Sequence, residues 1–231
     1  MQIKIALFGL GRTGKIVAQS LVRDEKFELV FAVSSQSKKK EEFDVPVKPP
    51  ELISRLIDEF RPDVIVDFTT PDAVMSNINR LKDGTSYVIA TTGFSKEQLQ
   101  IIQKIDRLKI LYAPNISDGI NAVMKVCNLL NRIWGDTDVE IIEQHFKSKK
   151  DLPSGTALKL SEIFDQPAPI HSVRAGGITG VHEVILAGEN QTITIRHESF
   201  NREVFAEGAK KAAIWLMEQE CGFYEVHEVY S

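Results

Sequence analysis

The chain has 231 residues, 43% hydrophobic and 26% charged, with a formal net charge of −4. That composition supplies one large core or two modest ones and excludes a disordered or fibrous chain, while the acidic balance recommends neither nucleic acid nor an anionic membrane as partner. No apolar run approaches the roughly 20 residues of a membrane span, and Cys127 and Cys221 lack the spacing of a metal site or a disulfide framework, so a soluble protein of a reducing cytoplasm is expected. The five histidines form no close helical pair and no Cys/His cluster, so no metal is expected.

Ile3 to Phe8 is a short, mostly apolar run that reads as a strand. It is followed at once by Gly9, Leu10, Gly11, Arg12, Thr13 and Gly14, and then by Ile16, Val17, Leu21 and Val22 at helical spacing. Strand, glycine turn and helix in that order form the setting in which G-x-G-x-x-G holds a dinucleotide. Gly9 would make the tight turn, Gly11 would let the backbone approach a pyrophosphate, and Gly14 would let helix and strand pack closely. A second strand is expected from Phe27 to Val33. Its end reads Ser34, Ser35, Gln36, Ser37, Lys38, Lys39, Lys40, with no carboxylate for the ribose 2′-hydroxyl of NAD. Hydroxyls and ammonium groups there, with Ser34, Ser35 and Lys38 as contacts, suit a 2′-phosphate, so NADPH is expected in preference to NADH. The same lysines also read as a solvated loop.

Pro62 to Phe68 reads as a buried parallel strand, after which Thr70 can cap and Pro71 can open a helix. Ser86 to Ala90 runs into Thr91, Thr92 and Gly93; Leu108 to Tyr112 runs into Ala113, Pro114, Asn115 and Ile116. Strands alternating with helical stretches predict a Rossmann-like, doubly wound parallel α/β sheet with ligands at the carboxyl ends of its strands, where these turns would wall a nicotinamide pocket.

After Asn115 the period changes. A helix carrying Ile120, Val123, Met124, Val126, Leu129 and Leu130 leads to an alternating run that puts Val139, Ile141, Glu143 and His145 on one face of a strand. His145 ends that strand. Lys149 lies four positions on, and Pro153, Ser154, Gly155, Thr156, Ala157, Leu158, Leu160 and Ile163 read as a helix start whose N–H groups at Gly155 and Thr156 favour an anion. The stretch thus offers a proton donor, His145, beside a carboxylate cradle; a lysine-rich loop with an ordinary histidine is the plainer reading. Ile170 to Gly177, Val181 to Ala187 and Gln191 to His197 alternate like strands of a smaller, mostly antiparallel sheet, the last two joined by Gly188 to Asn190. Asn201 then caps a helix bearing Val204, Phe205, Ala209, Ala212, Ala213 and Leu216.

Taken in order, several motifs resemble the dihydrodipicolinate reductase family over nearly the whole chain. They are Gly11 to Gly14, Asp67 to Pro71, Ala90 to Gly93, Ala113 to Asn121, His145 to Ala157, Ser172 to Gly177 with Gly180 and His182, and Arg202 to Ala209. The resemblance implies a dinucleotide-binding domain of residues 1–116 with 202–231, and a substrate-binding and oligomerisation domain of residues 117–201 that builds a homotetramer through its sheet. It implies hydride transfer from NAD(P)H to a cyclic, imine-like dicarboxylate of the diaminopimelate and lysine pathway. His145 matches the family's proton donor/acceptor and Lys149 its proton donor. Gly155 and Thr156, with Ser154 beside them, match its carboxylate grip, and Gly9 to Gly14, Ala90 to Thr92 and Ala113 to Ile116 match its nucleotide contacts. Arg174 is either a site residue or one that serves the domain junction.

The chain departs from the family pattern in three places. Phe146 stands where many members carry a second histidine, and Lys147 or Lys150 would then replace that contact as a point charge. Only Leu158 to His171 separates Ala157 from Ser172, where the family usually has a helix and a long loop. The glycine turn is one residue tighter than the common form, with Ala90 where glycine is usual. Two alternatives stay open on sequence alone: an NADPH-dependent reductase of a different cyclic imino acid, and a non-catalytic NADPH-binding protein.

Overall fold

The structure, a computed structural model, describes residues 2–35 and 41–231. Lys38, read above as a cofactor contact, lies outside the described residues. The chain divides into two compact units, Met1–Ile116 with Phe205–Ser231, and Ser117–Val204. In chain order the first stretch holds β1 (Ile3–Phe8), α1 (Arg12–Val22), β2 (Phe27–Val33), β3 (Glu41–Glu42), β4 (Val45–Lys48), α2 (Ile53–Phe60), β5 (Val64–Asp67), α3 (Pro71–Ile78), β6 (Ser86–Ile89), α4 (Lys96–Gln103) and β7 (Lys109–Tyr112). Next come α5 (Asp118–Ile133), β8 (Asp138–His145), α6 (Gly155–Ser161), β9 (Ile170–Arg174), β10 (Val181–Ala187) and β11 (Thr192–Glu198). The chain closes with α7 (Glu203–Met217) and β12 (Gly222–Glu225).

The first unit is a doubly wound sheet in the order β12-β7-β6-β5-β1-β2-β4-β3, parallel throughout except where β3 meets β4. Strict alternation sends successive strand residues to opposite faces, and each face has its own core. Ile5, Leu7, Val64, Val66, Val88 and Leu111 pack with Val17, Ala18 and Leu21 of α1 and with Ala206, Ala209, Ala212, Ala213 and Leu216 of α7. Ala6, Phe8, Ile65, Tyr87, Ile89 and Ile110 pack on the other side with Ile53, Leu56 and Ile57 of α2, Val74 and Ile78 of α3, and Ile102 of α4. The small residues of α7 let it lie close: a Cβ on Gly208 would fall 1.4 Å from the Ile116 carbonyl oxygen. Strand order reverses direction between β1 and β5, which is the switch point where open α/β sheets receive ligands.

The second unit is a four-stranded sheet in the order β11-β10-β8-β9. β10 runs antiparallel to both β8 and β11, whereas β8 and β9 are parallel because α6 lies between them in sequence. α5 and α6 contribute Ile120, Val123, Cys127, Ala157 and Leu160 to a core with Ile141, Val184 and Leu186. Val126 and Leu129 of α5 are 43% and 54% exposed, since the apolar stripe on that helix is wider than the face it buries. One expectation needs correction. α6 ends at Ser161, so Ile163 lies beyond it. α2, α4 and β12 have no counterpart in the reading above.

Candidate active site

In the first unit the glycines behave as their spacing suggests. Gly9 ends β1 at φ +91°, and a Cβ there would meet the Phe68 carbonyl oxygen at 2.8 Å. A Cβ on Gly14 would stand 1.8 Å from the Gly9 carbonyl oxygen, so the first turn of α1 can pack on the turn only without a side chain. Around Gly11, the residue that caps α1, nothing lies within 4 Å of a built Cβ. That opening at a helix N-terminus, on the switch point of the sheet, fits a pyrophosphate. Arg12 is exposed, Thr13 half-buried and Leu10 buried.

Beside this turn the buried Asp67, last residue of β5, holds the loop that follows. Its carboxylate accepts from the Thr69 amide at 2.7 Å, the Thr69 hydroxyl at 2.5 Å, the Asn77 amide at 3.2 Å and the Tyr87 hydroxyl. Burial pushes the Asp67 carboxyl up, with these hydrogen bonds opposing it. The Thr91 hydroxyl reaches the Asp67 carbonyl oxygen at 3.4 Å. The side chains of Ala90, Thr91, Ala113 and Ile116 are buried, so their backbone is what they can offer a ligand. Pro114 and Asn115 are half-buried; Thr92 and Ser35 are exposed; and Ser34, at the end of β2, donates its amide to Lys48 at 3.0 Å.

The second unit holds the titratable groups. His145 ends the central strand β8, opposite Arg174 of β9, and Glu143 lies opposite Ser172 on one side and His182 of β10 on the other. Glu143 is fully buried and takes Nδ1 of His145 on one carboxylate oxygen. The Arg174 guanidinium grips both oxygens, Nη1 at 2.9 Å and Nη2 at 2.6 Å. Burial alone would raise the Glu143 carboxyl, but these contacts, Arg174 first, bring it down to about 2. With Nδ1 committed to Glu143, the nitrogen of His145 left to meet a ligand is Nε2. Gly180 keeps space beside it, since a Cβ there would come within 3.3 Å of Nε2. Burial lowers the His145 pKa below 6.5; the Glu143 carboxylate opposes this, and the Lys149 and Arg174 charges add to it.

His182, also buried, meets the His145 ring edge to face with centroids 5.2 Å apart. Burial, then the His145 charge, bring its pKa down to about 3. It is therefore a neutral ring, and its Nε2 lies 3.2 Å from the Ser154 hydroxyl, which also accepts the Ala157 amide at 3.2 Å as the cap of α6. Gly155 is exposed and Thr156 half-buried, at the first positions of that helix. Lys149 pairs with Asp151 at 2.6 Å. The structure thus gathers His145, Lys149 and Ser154 through partners not named above as site residues, Glu143, His182 and Asp151, and through Arg174, whose role was left open. Glu143 was visible as the strand neighbour two residues before His145. The positions of Arg174 and His182 depend on strand register, which the sequence does not print.

Models of the dihydrodipicolinate reductase family match the chain in both parts, the N-terminal model over residues 3–116 and the C-terminal model over residues 119–230. The chain belongs to that family. It is 32% identical to the 4-hydroxy-tetrahydrodipicolinate reductase of Methanosarcina barkeri, across 98% of each chain. It is 36% identical to the enzyme of the same name from Rickettsia bellii, over 73% of this chain and 75% of that one. A dipicolinate-bound dihydrodipicolinate reductase from Paenisporosarcina sp. TG-14 superposes with a TM-score of 0.80 at 28% identity, covering 97% and 98% of the two chains. An amine dehydrogenase from Mycobacterium smegmatis, at 8% identity and a TM-score of 0.70, shares the fold alone. Family membership brings with it an NAD(P)H-binding, Rossmann-like unit.

Proposed function

We propose that this chain reduces 4-hydroxy-tetrahydrodipicolinate to tetrahydrodipicolinate at the expense of NADPH, or less readily NADH, in the diaminopimelate and lysine pathway. The observation that carries the reading is the buried Glu143–His145 pair, which frees Nε2 of an imidazole next to Gly180 and within the field of Lys149. NAD(P)H, when bound, supplies the hydride. The chain's residues then hold the ring and deliver the proton. Gly155 and Thr156, with Ser154 beside them, would take a substrate carboxylate on backbone N–H groups, fixing the ring for attack. Loss of the 4-hydroxyl together with a ring proton, as water, gives the conjugated imine; hydride addition to it leaves an electron pair on the ring, and a proton from His145 or Lys149 completes the reduction as the nicotinamide is oxidised. Substrate brings two negative charges to a site holding Lys149, Arg174 and a proton-poor imidazole, and those charges favour the protonated form of His145.

The end of β2 supports the NADPH preference, since Ser34 and Ser35 stand where an NAD-selective site would place a carboxylate. A homotetramer is supported by the outward face of the second sheet, where half-buried Ile142 and Ile185 stand beside exposed Val173. No helix among the described residues is long and apolar enough to cross a membrane, and we place the reaction in the cytoplasm. The second reading, reduction of another cyclic imino acid, is favoured by Phe146 alone.

The test is oxidation of NADPH and NADH coupled to enzymatically generated 4-hydroxy-tetrahydrodipicolinate, with His145→Ala and Lys149→Ala as controls. Turnover lost in both variants is the expected result. Tight NADPH binding without turnover of this substrate would move the proposal to the second reading, and faster turnover with NADH would remove the cofactor preference.

A further inference from the structure

Arg174 has been given no step of its own in the chemistry described so far, yet its side chain is only 13% exposed and its guanidinium bonds Glu143, Val173 and Asp151. Nη1 reaches Oε2 of Glu143 at 2.9 Å and the Val173 carbonyl oxygen at 2.8 Å. Nη2 reaches Oε1 of Glu143 at 2.6 Å and the Asp151 carbonyl oxygen at 2.7 Å. Both ends of this fork lead to Glu143, and Nη2 leads to Asp151 as well, so one guanidinium reaches the partners of both proton-bearing groups. Glu143 holds Nδ1 of His145. Asp151, gripped through its carbonyl, holds the Lys149 ammonium on its carboxylate at 2.6 Å.

We propose that Arg174 is the positioning residue of the site, one guanidinium that sets His145 through Glu143 and Lys149 through Asp151. The proposal rests on the reductase reading for the roles of His145 and Lys149. Three features favour it over a simple structural ion pair. The two contacts tie β9 to two separate parts of the preceding chain, a strand residue at 143 and a loop residue at 151, and fixing either alone would need only part of the fork. The planar fork is what allows bidentate grip of a carboxylate together with a carbonyl; a lysine offers one point charge on a flexible stem. The buried Nε–H of Arg174 finds no partner among the described residues. An arginine placed for stability alone would be expected to satisfy that donor, so the orientation answers to the oxygens around Nη1 and Nη2.

The experiment compares Arg174→Lys with the unaltered protein, alone and in His145→Gln, Lys149→Ala and doubly substituted backgrounds. Alone, Arg174→Lys should lower kcat by about tenfold or more while leaving NADPH affinity unchanged, and the loss should shrink to about threefold or less in either single background and vanish in the double one. Added guanidinium should restore part of the loss in Arg174→Ala. An equal fractional loss in all backgrounds would overturn the proposal, because a residue acting independently of His145 and Lys149 gives additive effects. A readout without turnover separates this inference from the reductase reading. In protein labelled with 15N at histidine, the Nδ1–H resonance bonded to Glu143 should be present in the unaltered protein and lost or displaced in Arg174→Lys. Its persistence in a folded, cofactor-binding Arg174→Lys would overturn the His145 arm, whereas its loss in a protein that never turned over substrate would sink the reductase reading and leave the positioning role standing.

Discussion

The glycine turn of the first unit and the imidazole cluster of the second are built on opposite plans. The turn is contiguous, running from Gly9 to Gly14, and what it offers is backbone and empty space. The cluster draws Glu143 and His145 from β8, Arg174 from β9, His182 from β10 and Ser154 from the start of α6, and what it offers is side chains held by other side chains. A backbone site tolerates change everywhere except at its glycines. A side-chain site spreads its sensitivity over every strand that contributes.

The largest effect should fall on the cluster. His145→Gln keeps the ring's approximate volume but removes the titrating group, and kcat should drop by on the order of 10²–10⁴ with NADPH binding intact in a fluorescence titration. A comparable loss of cofactor binding would show that the two regions are not separable. Within the turn, identical substitutions should have unlike outcomes. Gly14→Ala forces a Cβ to 1.8 Å from the Gly9 carbonyl oxygen, which should cost about 1–3 kcal/mol in thermal or denaturant unfolding and weaken NADPH. Gly11→Ala meets nothing within 4 Å, so it should unfold like the parent while still losing affinity, because the methyl would occupy the approach expected for the pyrophosphate.

Much of this contrast was legible beforehand. Short, mostly apolar runs gave β1, β2, β5, β6 and β7 to within a residue or two, because parallel strands buried on both faces must be apolar throughout. β12 was not legible: Gly222 to Glu225 is too short and too mixed to stand out, and it forms by pairing with β7. In the site, Glu143 and His145 shared a strand face that the alternation displays. Arg174 and His182 were visible only as motif members, since nothing local says that β9 runs parallel to β8 while β10 runs antiparallel to it.

Two finer measurements sharpen the comparison. As the proposed proton donor, His145 would have to carry a proton to deliver it, so activity should fall as pH rises through its pKa. In the free protein burial holds that pKa below 6.5, against the Glu143 carboxylate and with Lys149 and Arg174 reinforcing the shift. A bound dicarboxylate opposes those cations. The alkaline limb of kcat should therefore lie at higher pH than that of kcat/KM, which reports the free protein; superimposed limbs would show that substrate does not act on the imidazole. Smallest of all, Ser154→Ala removes the cap of α6 and the partner of His182, with an expected cost of about 1 kcal/mol and a rise in KM larger than the fall in kcat.

Gly208 and the alanines of α7 also bear on the order in which the protein is made. The sheet of the second unit is complete once residue 198 has been synthesised, whereas the first unit still lacks α7 over one face and β12 along the edge of β7. At about 5–20 residues per second, the nascent chain carries that unfinished sheet for seconds, its β7 edge and the Leu111 side of its core uncovered. Protection on the ribosome, if the chain needs any, is needed by the half that is begun first and finished last.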